Sequence, residues 1–258
     1  MKIKKHEHFV LLSEDGKFFK IFKYEPEKEI HTHLGKVILK KNLNYGEVLI
    51  SSKNKEFYVL RPSLSDLMMN VERKTTIIYP KDAGLILLEL GIRPGIKVCE
   101  VGTGSGAFLT LISNIVGKRG KVYTFERREE FYELAKRNLS NYKLTGNIEF
   151  FLRDVEREGF PEIEVDAVFI DVPEPWKIIK FVPKILKKGH SLGSLSPNIE
   201  QIQKTKKEME TYGFVRIRVY EILIREIMVR DVGTRPKEFG IVHTGYLIFG
   251  NLLFKNLQ

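Results

Sequence analysis

The segment VCEVGTGSG at residues 98–106 indicates the fold more strongly than any other part of the chain. The apolar run over residues 96–101 predicts a buried strand, and the apolar spacing over residues 108–116 predicts an amphipathic helix. A glycine-rich turn between a strand and a helix lets a ligand approach the backbone closely. The sequence therefore predicts an α/β domain with a ligand site at this turn.

The spacing of the glycines helps to separate two classes of ligand. A dinucleotide fingerprint has the pattern G-x-G-x-x-G, whereas this loop has Ala107 at the sixth position and its third glycine one residue early. Glu100 would also repel phosphate groups. A cofactor with positive charge and no phosphate fits better, and S-adenosylmethionine is such a ligand. The pattern E-x-G-x-G-x-G resembles the first motif of class I methyltransferases, although a nucleotide binder of another kind stays open at this point.

Composition favours a polyanionic partner. The 258 residues include 43 Lys and Arg against 33 Asp and Glu, and the net charge of +10 suits nucleic acid, although a well-solvated surface gives the same count. Cys99 is the only cysteine, which excludes an intrachain disulfide and a thiolate zinc cluster. No apolar run approaches the roughly 18 residues of a membrane span, and residues 1–9 lack the apolar core of a signal peptide. We expect a cytoplasmic protein without a membrane segment.

Two H-x-H pairs are the nearest approach to a metal motif in this sequence. They are His6 with His8 and His31 with His33. Zinc sites need three or four ligands with supporting spacing, and this chain has no cysteine pair to complete such a set. We expect no metal site.

The pattern of short and long elements divides the chain into two predicted domains. Residues 1–70 are expected to form a small N-terminal all-β domain, with strands at 9–12, 18–22, 37–39, 47–51 and 57–60. Residues 71–258 alternate between helix and strand and form the predicted catalytic domain. Its helices are predicted at 83–90 with Asp82 as a candidate cap, and at 108–116, 129–142, 176–186 and 199–212.

The end of the catalytic domain changes pattern. Two long strands, 214–225 and 243–252, replace a last crossover helix. This predicts a Rossmann-like fold with a seven-stranded sheet, mostly parallel, that ends in an antiparallel hairpin as in methyltransferases.

Acidic residues follow successive predicted strands, at the edge where an open α/β sheet binds its ligands. Glu126 is placed to accept hydrogen bonds from ribose hydroxyls, and Asp154 could accept the adenine amino group. Asp171 begins the segment DVPEPW at 171–176, in which two prolines stiffen the loop. Such a loop resembles the Asp/Asn-Pro-Pro-aromatic loop of methyltransferases that act on the nitrogens of bases.

With these motifs together, the chain resembles the tRNA (adenine-N1)-methyltransferases, which methylate adenine 58 in the T loop. Eight segments in order carry the resemblance: HTHLG at 31–35, RPSLSDL at 61–67, IIYPKD at 77–82, EVGTGSG at 100–106, RDV at 153–155, DVPEPW at 171–176, PNIEQ at 197–201 and RP…HTGY at 235–246. The chain departs from the family at Thr75 and Thr76, where glutamine is common two residues before the third segment. It departs again at Phe131, where a polar or basic residue is common.

The resemblance implies a cofactor, a partner and a set of site residues. S-adenosylmethionine is the cofactor, tRNA is the substrate, and the protein is a homotetramer. Some archaeal relatives methylate adenine 57 as well as 58, and the sequence does not choose between them. The implied cofactor-binding residues are Ile78, Glu100, Gly102, Thr103, Gly104, Ser105, Gly106, Ala107, Glu126, Asp154, Val155 and Asp171, and the implied catalytic residues are Asp171 and Tyr79.

The chemistry of the substrate predicts what the catalytic residues do. N1 of adenine keeps its lone pair at neutral pH, so no base is needed, and the enzyme's work is positioning and electrostatics. Asp171 beside the exocyclic amine would orient the base and stabilise the charge that develops on it. The target base must leave its stack, and Tyr79 and Trp176 are candidates to hold it, although core packing is the alternative for both.

Two other functions compete with this one. A protein-repair carboxyl methyltransferase uses a similar glycine loop, but it lacks the DVPEPW segment and does not explain the basic charge or the N-terminal β domain. A non-catalytic tRNA-binding subunit would explain the charge, but it would have no need for an intact cofactor loop. His243 belongs to the last segment, and its role is not evident from chemistry.

Overall fold

The computed structural model describes residues 1–238 and 243–254 and divides into two compact units, Met1–Asn70 and Val71–Gln258. Residues 239–242, inside the segment RP…HTGY, lie outside the described residues, as do residues 255–258 at the end of the second predicted domain. Within the described ranges, no helix is long and apolar enough to cross a membrane. The same ranges contain no group of three His, Cys, Asp or Glu side chains that could hold a metal ion.

The first unit consists of six short β-strands followed by a short helix. Its strands are β1 His8–Ser13, β2 Phe19–Lys23, β3 Glu29–Thr32, β4 Gly35–Ile38, β5 Val48–Ile50 and β6 Glu56–Leu60. They form an antiparallel sheet in the order β2-β1-β6-β5 and a separate hairpin of β3 with β4. Its alternating side chains bury a core that includes Phe9, Leu11 and Phe57. Helix α1, Leu64–Met69, follows and begins with a capping box between Ser63 and Asp66.

Strand β3 is an element that the sequence analysis missed. It ends with the first two residues of the HTHLG segment, His31 and Thr32, and Thr32 pairs with Gly35 of β4 in a tight hairpin. The run is short and only Ile30 of the strand is buried. A single buried residue gives too weak an alternation to be recognised as a strand.

The second unit alternates between strands and helices and then ends in strands. Its strands are β7 Lys97–Val101, β8 Lys121–Glu126, β9 Ile148–Leu152, β10 Val165–Ile170, β11 Leu186–Ser196, β12 Phe214–Glu221, β13 Ile227–Met228, β14 Arg235–Pro236 and β15 Tyr246–Leu252. Its helices are α2 Pro80–Glu89, α3 Ala107–Val116, α4 Glu129–Asn141, α5 Val155–Glu158, α6 Trp176–Ile179 and α7 Ile199–Thr211.

The large sheet has the order β12-β15-β11-β10-β7-β8-β9. Strands β7 to β11 pair in parallel, whereas β15 runs antiparallel to both of its neighbours. The predicted seven-stranded, mostly parallel sheet with an antiparallel C-terminal hairpin is therefore confirmed, as is the small N-terminal β domain. The central strands carry almost continuous apolar runs because helices cover both faces. Cys99 is fully buried in β7, as a structural thiol should be.

The prediction of a helix at 176–186 was wrong after residue 179, because only the first turn is α-helical. Helix α6 ends at Ile179, a 3-10 turn covers Val182–Lys184, and β11 begins at Leu186. Pro183 is the physical reason, because it has no N–H to donate to the Ile179 carbonyl and cannot continue the α-helix. Strand β11 consequently begins inside the predicted helix and has 11 residues.

Two further predictions about element ends were wrong. Asp82 does not cap α2, because Pro80 occupies the first helical turn and Tyr79 is the N-cap, which leaves Asp82 inside the helix and buried. The strand predicted at 214–225 stops at Glu221, which pairs with Tyr246, the first residue of β15. Among the described residues, β12 has no pairing partner beyond that pair, and the chain continues into the β13–β14 hairpin.

Candidate active site

A cavity of about 490 Å³ lies at the carboxyl ends of five neighbouring strands. In sheet order these strands are β9, β8, β7, β10 and β11. Because adjacent strands are about 4.8 Å apart, the five ends span roughly 19 Å, which is enough for two ligands side by side. The residues after them that line the cavity include Arg153 to Glu156, Glu126 to Arg128, Gly102 and Gly104, Asp171 to Glu174, and Leu195, Pro197 and Gln201.

The glycine loop after β7 is shaped by close approach of backbone to backbone. Gly102 has φ +94°, and a Cβ built on it would overlap the carbonyl oxygen of Asp171. Gly106, the N-cap of α3, has φ +78°, and a Cβ there would lie 2.8 Å from Leu139 Cδ2. Any side chain at these two positions would therefore both strain the backbone and clash. The loop is narrow because it must fit between the end of β10 and helix α4.

Glu126 at the end of β8 is held by three donors. Its Oε2 accepts from Gly104 N at 3.0 Å, and its Oε1 accepts from Arg128 N at 3.0 Å and Arg128 Nε at 3.3 Å. The Arg128 guanidinium also lies 3.8 Å from the centre of the Phe131 ring. Phe131, one of the departures from the family pattern, thus gives this arginine a cation–π partner. The carboxylate is fixed in orientation before any ligand arrives.

Glu100 lies behind the glycine loop and does not line the cavity. It is 2% exposed and accepts from Thr124 Oγ1 at 2.5 Å, and that hydroxyl also bonds Thr103 Oγ1 at 2.6 Å. Burial raises the pKa of Glu100 to about 8, with Asp171 and Glu126 adding to the rise against the Thr124 bond. At neutral pH the carboxyl therefore keeps its proton most of the time. Glu100 therefore does not repel phosphate as the sequence predicted, and only the spacing of the glycines disfavours a phosphate-bearing ligand.

Asp171 follows β10 at the middle of the cavity. Its backbone N–H donates to Val101 O at 2.8 Å, which ties the start of the DVPEPW loop to the end of β7. Desolvation by burial raises the pKa of Asp171 to about 6. Further along the loop, Glu174 pairs with Lys177 Nζ at 2.5 Å, and that ammonium also reaches Glu156 at 3.1 Å. The loop is anchored at both ends, so the Asp171 carboxyl is presented from a fixed backbone.

The predicted site residues divide into those that line the cavity and those that support it. Six line it: Gly102, Gly104, Glu126, Asp154, Val155 and Asp171. Asp154 is in addition the N-cap of α5, where it accepts from Glu156 N at 3.1 Å. Seven do not line it: Ile78, Tyr79, Glu100, Thr103, Ser105, Gly106 and Ala107.

The supporting residues are mostly buried under the loop or at its sides. Ser105 accepts from Lys74 N at 3.3 Å through its hydroxyl and from Asn138 Nδ2 at 2.9 Å through its carbonyl. Ile78 is buried, whereas its neighbour Ile77 lines the cavity. Trp176 is also outside the lining, and Lys204 Nζ lies 4.9 Å from the centre of its ring.

Seventeen lining residues were not predicted as site residues. They are Thr75, Thr76, Ile77, Val101, Phe125, Arg127, Arg128, Arg153, Glu156, Val172, Pro173, Glu174, Ile178, Leu195, Pro197, Gln201 and Thr244. Nine of them lie inside segments that carried the family resemblance, which was the one available signal: Ile77, Val101, Arg153, Val172, Pro173, Glu174, Pro197, Gln201 and Thr244. For those outside the DVPEPW loop, proximity to Asp171 was not visible because they come from separate elements.

A buried polar network joins two segments more than 160 residues apart. Lys81 Nζ donates to Asp82 Oδ1 at 2.9 Å, to Ile222 O at 2.8 Å and to Thr244 Oγ1 at 2.5 Å. Thr244 Oγ1 in turn donates to Asp82 Oδ2 at 2.7 Å. The side chains of Lys81 and Asp82 are 8% and 1% exposed, so the two charges need each other. The network connects the IIYPKD and HTGY segments and holds Thr244, which lines the cavity, in place. We call this part of the lining the Thr244 wall.

His243 makes a second connection to the same wall. Its ring lies 2.7 Å from Glu221 Oε1 through Nδ1 and 3.2 Å from Pro197 O through Nε2. The Glu221 carboxylate, followed by the Pro197 carbonyl, raises the pKa of His243. Both neighbours accept hydrogen bonds, so the arrangement favours the protonated ring. A structural role in holding the loop after β11 follows for this histidine.

Comparison with known proteins identifies the family. Residues 55–246 match the family described as the tRNA methyltransferase complex GCD14 subunit. The chain belongs to this family. The match covers most of the second unit, including the cavity, so the predicted family is confirmed.

For individual relatives and solved structures, the similarity to this GCD14 family chain extends over nearly its whole length. The tRNA (adenine(57)-N(1)/adenine(58)-N(1))-methyltransferase TrmI of Methanocaldococcus jannaschii is 36% identical, over 92% of this chain and 92% of its own. A structure described as a SAM-dependent O-methyltransferase from Thermotoga maritima is 36% identical, with a TM-score of 0.89 over 99% of this chain and 96% of that one. The tRNA (m1A58) methyltransferase TrmI from Aquifex aeolicus is 33% identical, with a TM-score of 0.83 over 99% and 100%.

Proposed function

We propose that this chain uses S-adenosylmethionine to methylate N1 of adenine 58 in the T loop of tRNA, giving 1-methyladenosine. Adenine 57 is the second position to be tested, because a relative that is 36% identical is named for both positions. The observation that carries the proposal is the single cavity across five strand ends, with Asp171 at its middle. One side of Asp171 has the features of a cofactor site, and the other side has room for an acceptor base.

The cofactor side comprises the ends of β7, β8 and β9. We assign Glu126 to the ribose hydroxyls, because its carboxylate is already oriented by Gly104 and Arg128. We assign Asp154 and Val155 to the adenine ring, where the carboxylate would accept a hydrogen bond from the amino group. The close fit of Gly102 against Asp171 leaves no side chain between the loop backbone and a ligand. These residues fit S-adenosylmethionine, which when bound supplies a methyl group on a sulfonium leaving group.

The acceptor side comprises the ends of β10 and β11 and the Thr244 wall. We assign Asp171 the role of accepting a hydrogen bond from the exocyclic amine of adenine. As positive charge develops on the ring, a fixed carboxylate beside the amine stabilises it without having to reorganise. Tyr79 precedes α2 and is half-buried outside the cavity lining, and we retain it as a candidate to hold the base when tRNA binds.

The name of the Thermotoga maritima structure raises the question of whether oxygen or nitrogen accepts the methyl group. A hydroxyl acceptor needs a general base with a suitable pKa. Among the described residues that line the cavity, the titratable side chains are arginines and carboxylic acids, without lysine, histidine or tyrosine. N1 of adenine already has its lone pair and needs no base. Asp171, with its pKa of about 6, is such a base, so the lining is compatible with either acceptor. The relatives named for adenine N1 support the nitrogen acceptor over protein repair or a non-catalytic subunit.

Exposed apolar side chains support a homo-oligomer, and the family resemblance points to a tetramer. The segment around β13 and β14 exposes Leu223, Ile224, Ile227, Val229 and Val232, the last two at 81% and 94%. Contiguous exposed apolar residues mark interaction surfaces. Light scattering should give a mass four times 30.0 kDa. A tRNA substrate is also the reason to propose a cytoplasmic location.

Methyl transfer to defined tRNA transcripts tests the function. The enzyme is incubated with labelled S-adenosylmethionine and unmodified tRNA, and nucleosides are identified by mass spectrometry. Transcripts with guanine at position 57, 58 or both serve as matched substrates. We expect 1-methyladenosine that disappears when the accepted adenine is replaced. Label in an isoaspartyl peptide but not in tRNA would instead indicate protein repair, and tRNA binding without transfer would indicate a subunit that needs a partner.

A further inference from the structure

Gln201 stands on a rigid part of the acceptor side. It is the third residue of α7, and its backbone N–H donates to the N-cap Asn198 Oδ1 at 3.0 Å. Its carbonyl accepts from Thr205 Oγ1 at 2.8 Å. The backbone of Gln201 is therefore fixed, and its half-buried side chain lines the cavity.

The side-chain amide of Gln201 has an oxygen without a donor in the part of the chain that the structure describes. Its Oε1 is buried, and none of the described residues donates a hydrogen bond to it. A buried amide oxygen without a donor costs free energy, and a donor from a ligand would relieve that cost. Because rotation about χ3 exchanges the oxygen and the nitrogen, the amide can present either an acceptor or a donor toward the cavity.

Gln201 differs in this respect from its polar neighbours on the same side. The Thr244 hydroxyl is shared between Lys81 and Asp82, and the Glu174 carboxylate is paired with Lys177. The Pro197 carbonyl is within hydrogen-bond distance of His243 Nε2. These groups hold the wall together, whereas the Gln201 amide keeps its hydrogen-bonding capacity for a ligand.

Gln201 and Asp171 belong to neighbouring strand ends. Strands β10 and β11 pair in parallel, with Ile170 opposite Ser194, so the chain leaves both strands at the same edge of the sheet. Asp171 directly follows β10, and Gln201 lies in the first turn of the helix that follows β11. Both residues line one cavity, so one planar base can be contacted by both.

The edges of adenine indicate which contacts remain after N1 faces the methyl donor. The exocyclic amine has two hydrogens: one lies on the N1 side, where Asp171 is assigned, and the other lies beside N7. This second edge presents a donor and then an acceptor, the pattern that a glutamine amide matches with two hydrogen bonds. Guanine presents two acceptors there, O6 and N7, which leaves the amide oxygen without a donor.

We propose that Gln201 recognises the N6–N7 edge of the target adenine, with Oε1 accepting from N6 and Nε2 donating to N7. This proposal rests on the proposed function, since it assumes that adenine is the acceptor. Gln201 is then a specificity residue that positions the base and takes no part in bond making. It contributes to the choice of adenine over guanine.

A substrate modified at one atom tests the proposal together with a variant. Transcripts carry either adenine or 7-deazaadenine at the accepted position, and the enzymes are wild type, Gln201→Met and the control Gln203→Met. Gln203 is an exposed glutamine on the same helix. For wild type we expect kcat/KM to fall about 10-fold with 7-deazaadenine, because one of the two hydrogen bonds is lost. For Gln201→Met we expect a loss of about 10–100-fold with adenine and less than a 3-fold difference between the two substrates.

The readouts separate this proposal from the function on which it rests. Wild-type enzyme that fails to methylate the adenine transcript refutes the proposed function. Wild-type enzyme that methylates both transcripts equally well overturns the role of Gln201, whatever the stability of the variant. Equal discrimination by Gln201→Met and wild type would also overturn it. The dissociation constant for S-adenosylmethionine should stay within 3-fold in both variants, which reports that the fold and cofactor side are intact.

Discussion

The two sides of the cavity differ in how far the protein satisfies its own polar groups. On the cofactor side, Glu126 accepts three hydrogen bonds and Asp154 caps a helix. On the acceptor side, burial holds the pKa of Asp171 at about 6, and the Gln201 oxygen has no donor among the described residues. The first side is preorganised for a small ligand of fixed shape. The second side keeps hydrogen-bonding capacity for a ligand, which is where specificity is expected.

The largest effect should come from breaking the wall of the acceptor side. We expect Asp82→Ala to lower the free energy of unfolding by about 3–5 kcal/mol, because it leaves the Lys81 ammonium buried without its counterion. Urea denaturation measures the change. The control Glu210→Ala removes an exposed ion pair with Lys206 and should cost less than about 1 kcal/mol. Equal losses in the two variants would show that the network does not support the wall.

Replacement of Asp171 should separate the two sides by chemistry. Asp171→Asn keeps the shape of the side chain and removes its charge, so we expect kcat to fall about 10²–10³-fold. Binding of S-adenosylmethionine, measured by calorimetry, should change much less. A kcat within a few-fold of wild type would exclude a central role for this carboxylate.

The converse replacement is Glu126→Gln on the cofactor side. Loss of the charge should weaken hydrogen bonds to ribose and raise the dissociation constant for S-adenosylmethionine about 10–100-fold. At saturating cofactor, kcat should stay within a few-fold of wild type. The distinction between the sides would fail if kcat fell as far as in Asp171→Asn.

The smallest predicted effect is a pH dependence of cofactor affinity. Below pH about 6 the Asp171 carboxyl is protonated, and a sulfonium beside it favours the ionised form, so binding releases a proton. Ionisation of Asp171 should therefore raise the affinity for S-adenosylmethionine about 10-fold from pH 5 to pH 7. Above pH about 7 this contribution should be constant. S-adenosylhomocysteine has no sulfonium and should show a smaller rise. In Asp171→Asn, the two ligands should show the same pH dependence of affinity. If the difference persisted in this variant, a titratable group other than Asp171 would be its cause.

Much of the site could be predicted because strand ends are local features. Glu126, Asp154 and Asp171 each follow a strand that its own apolar run reveals, and all three line the cavity. Ile78 shows the limit of such arguments. The segment IIYPKD was recognised, but the sequence does not show which of its two isoleucines faces the cavity. Ile77 does, because the path of the chain into α2 decides the direction of each side chain.

Sequence alone determined the class of fold, the glycine loop and the acids at the strand ends. These follow from apolar periodicity and from steric limits on a few residues, which act over short distances along the chain. Only the tertiary structure decided that Thr244 joins Lys81 and Asp82, that Glu100 is buried with a raised pKa, and that Gln201 faces the same cavity as Asp171. Those facts depend on burial and on contacts between distant segments, and neither is defined until the sheet has assembled.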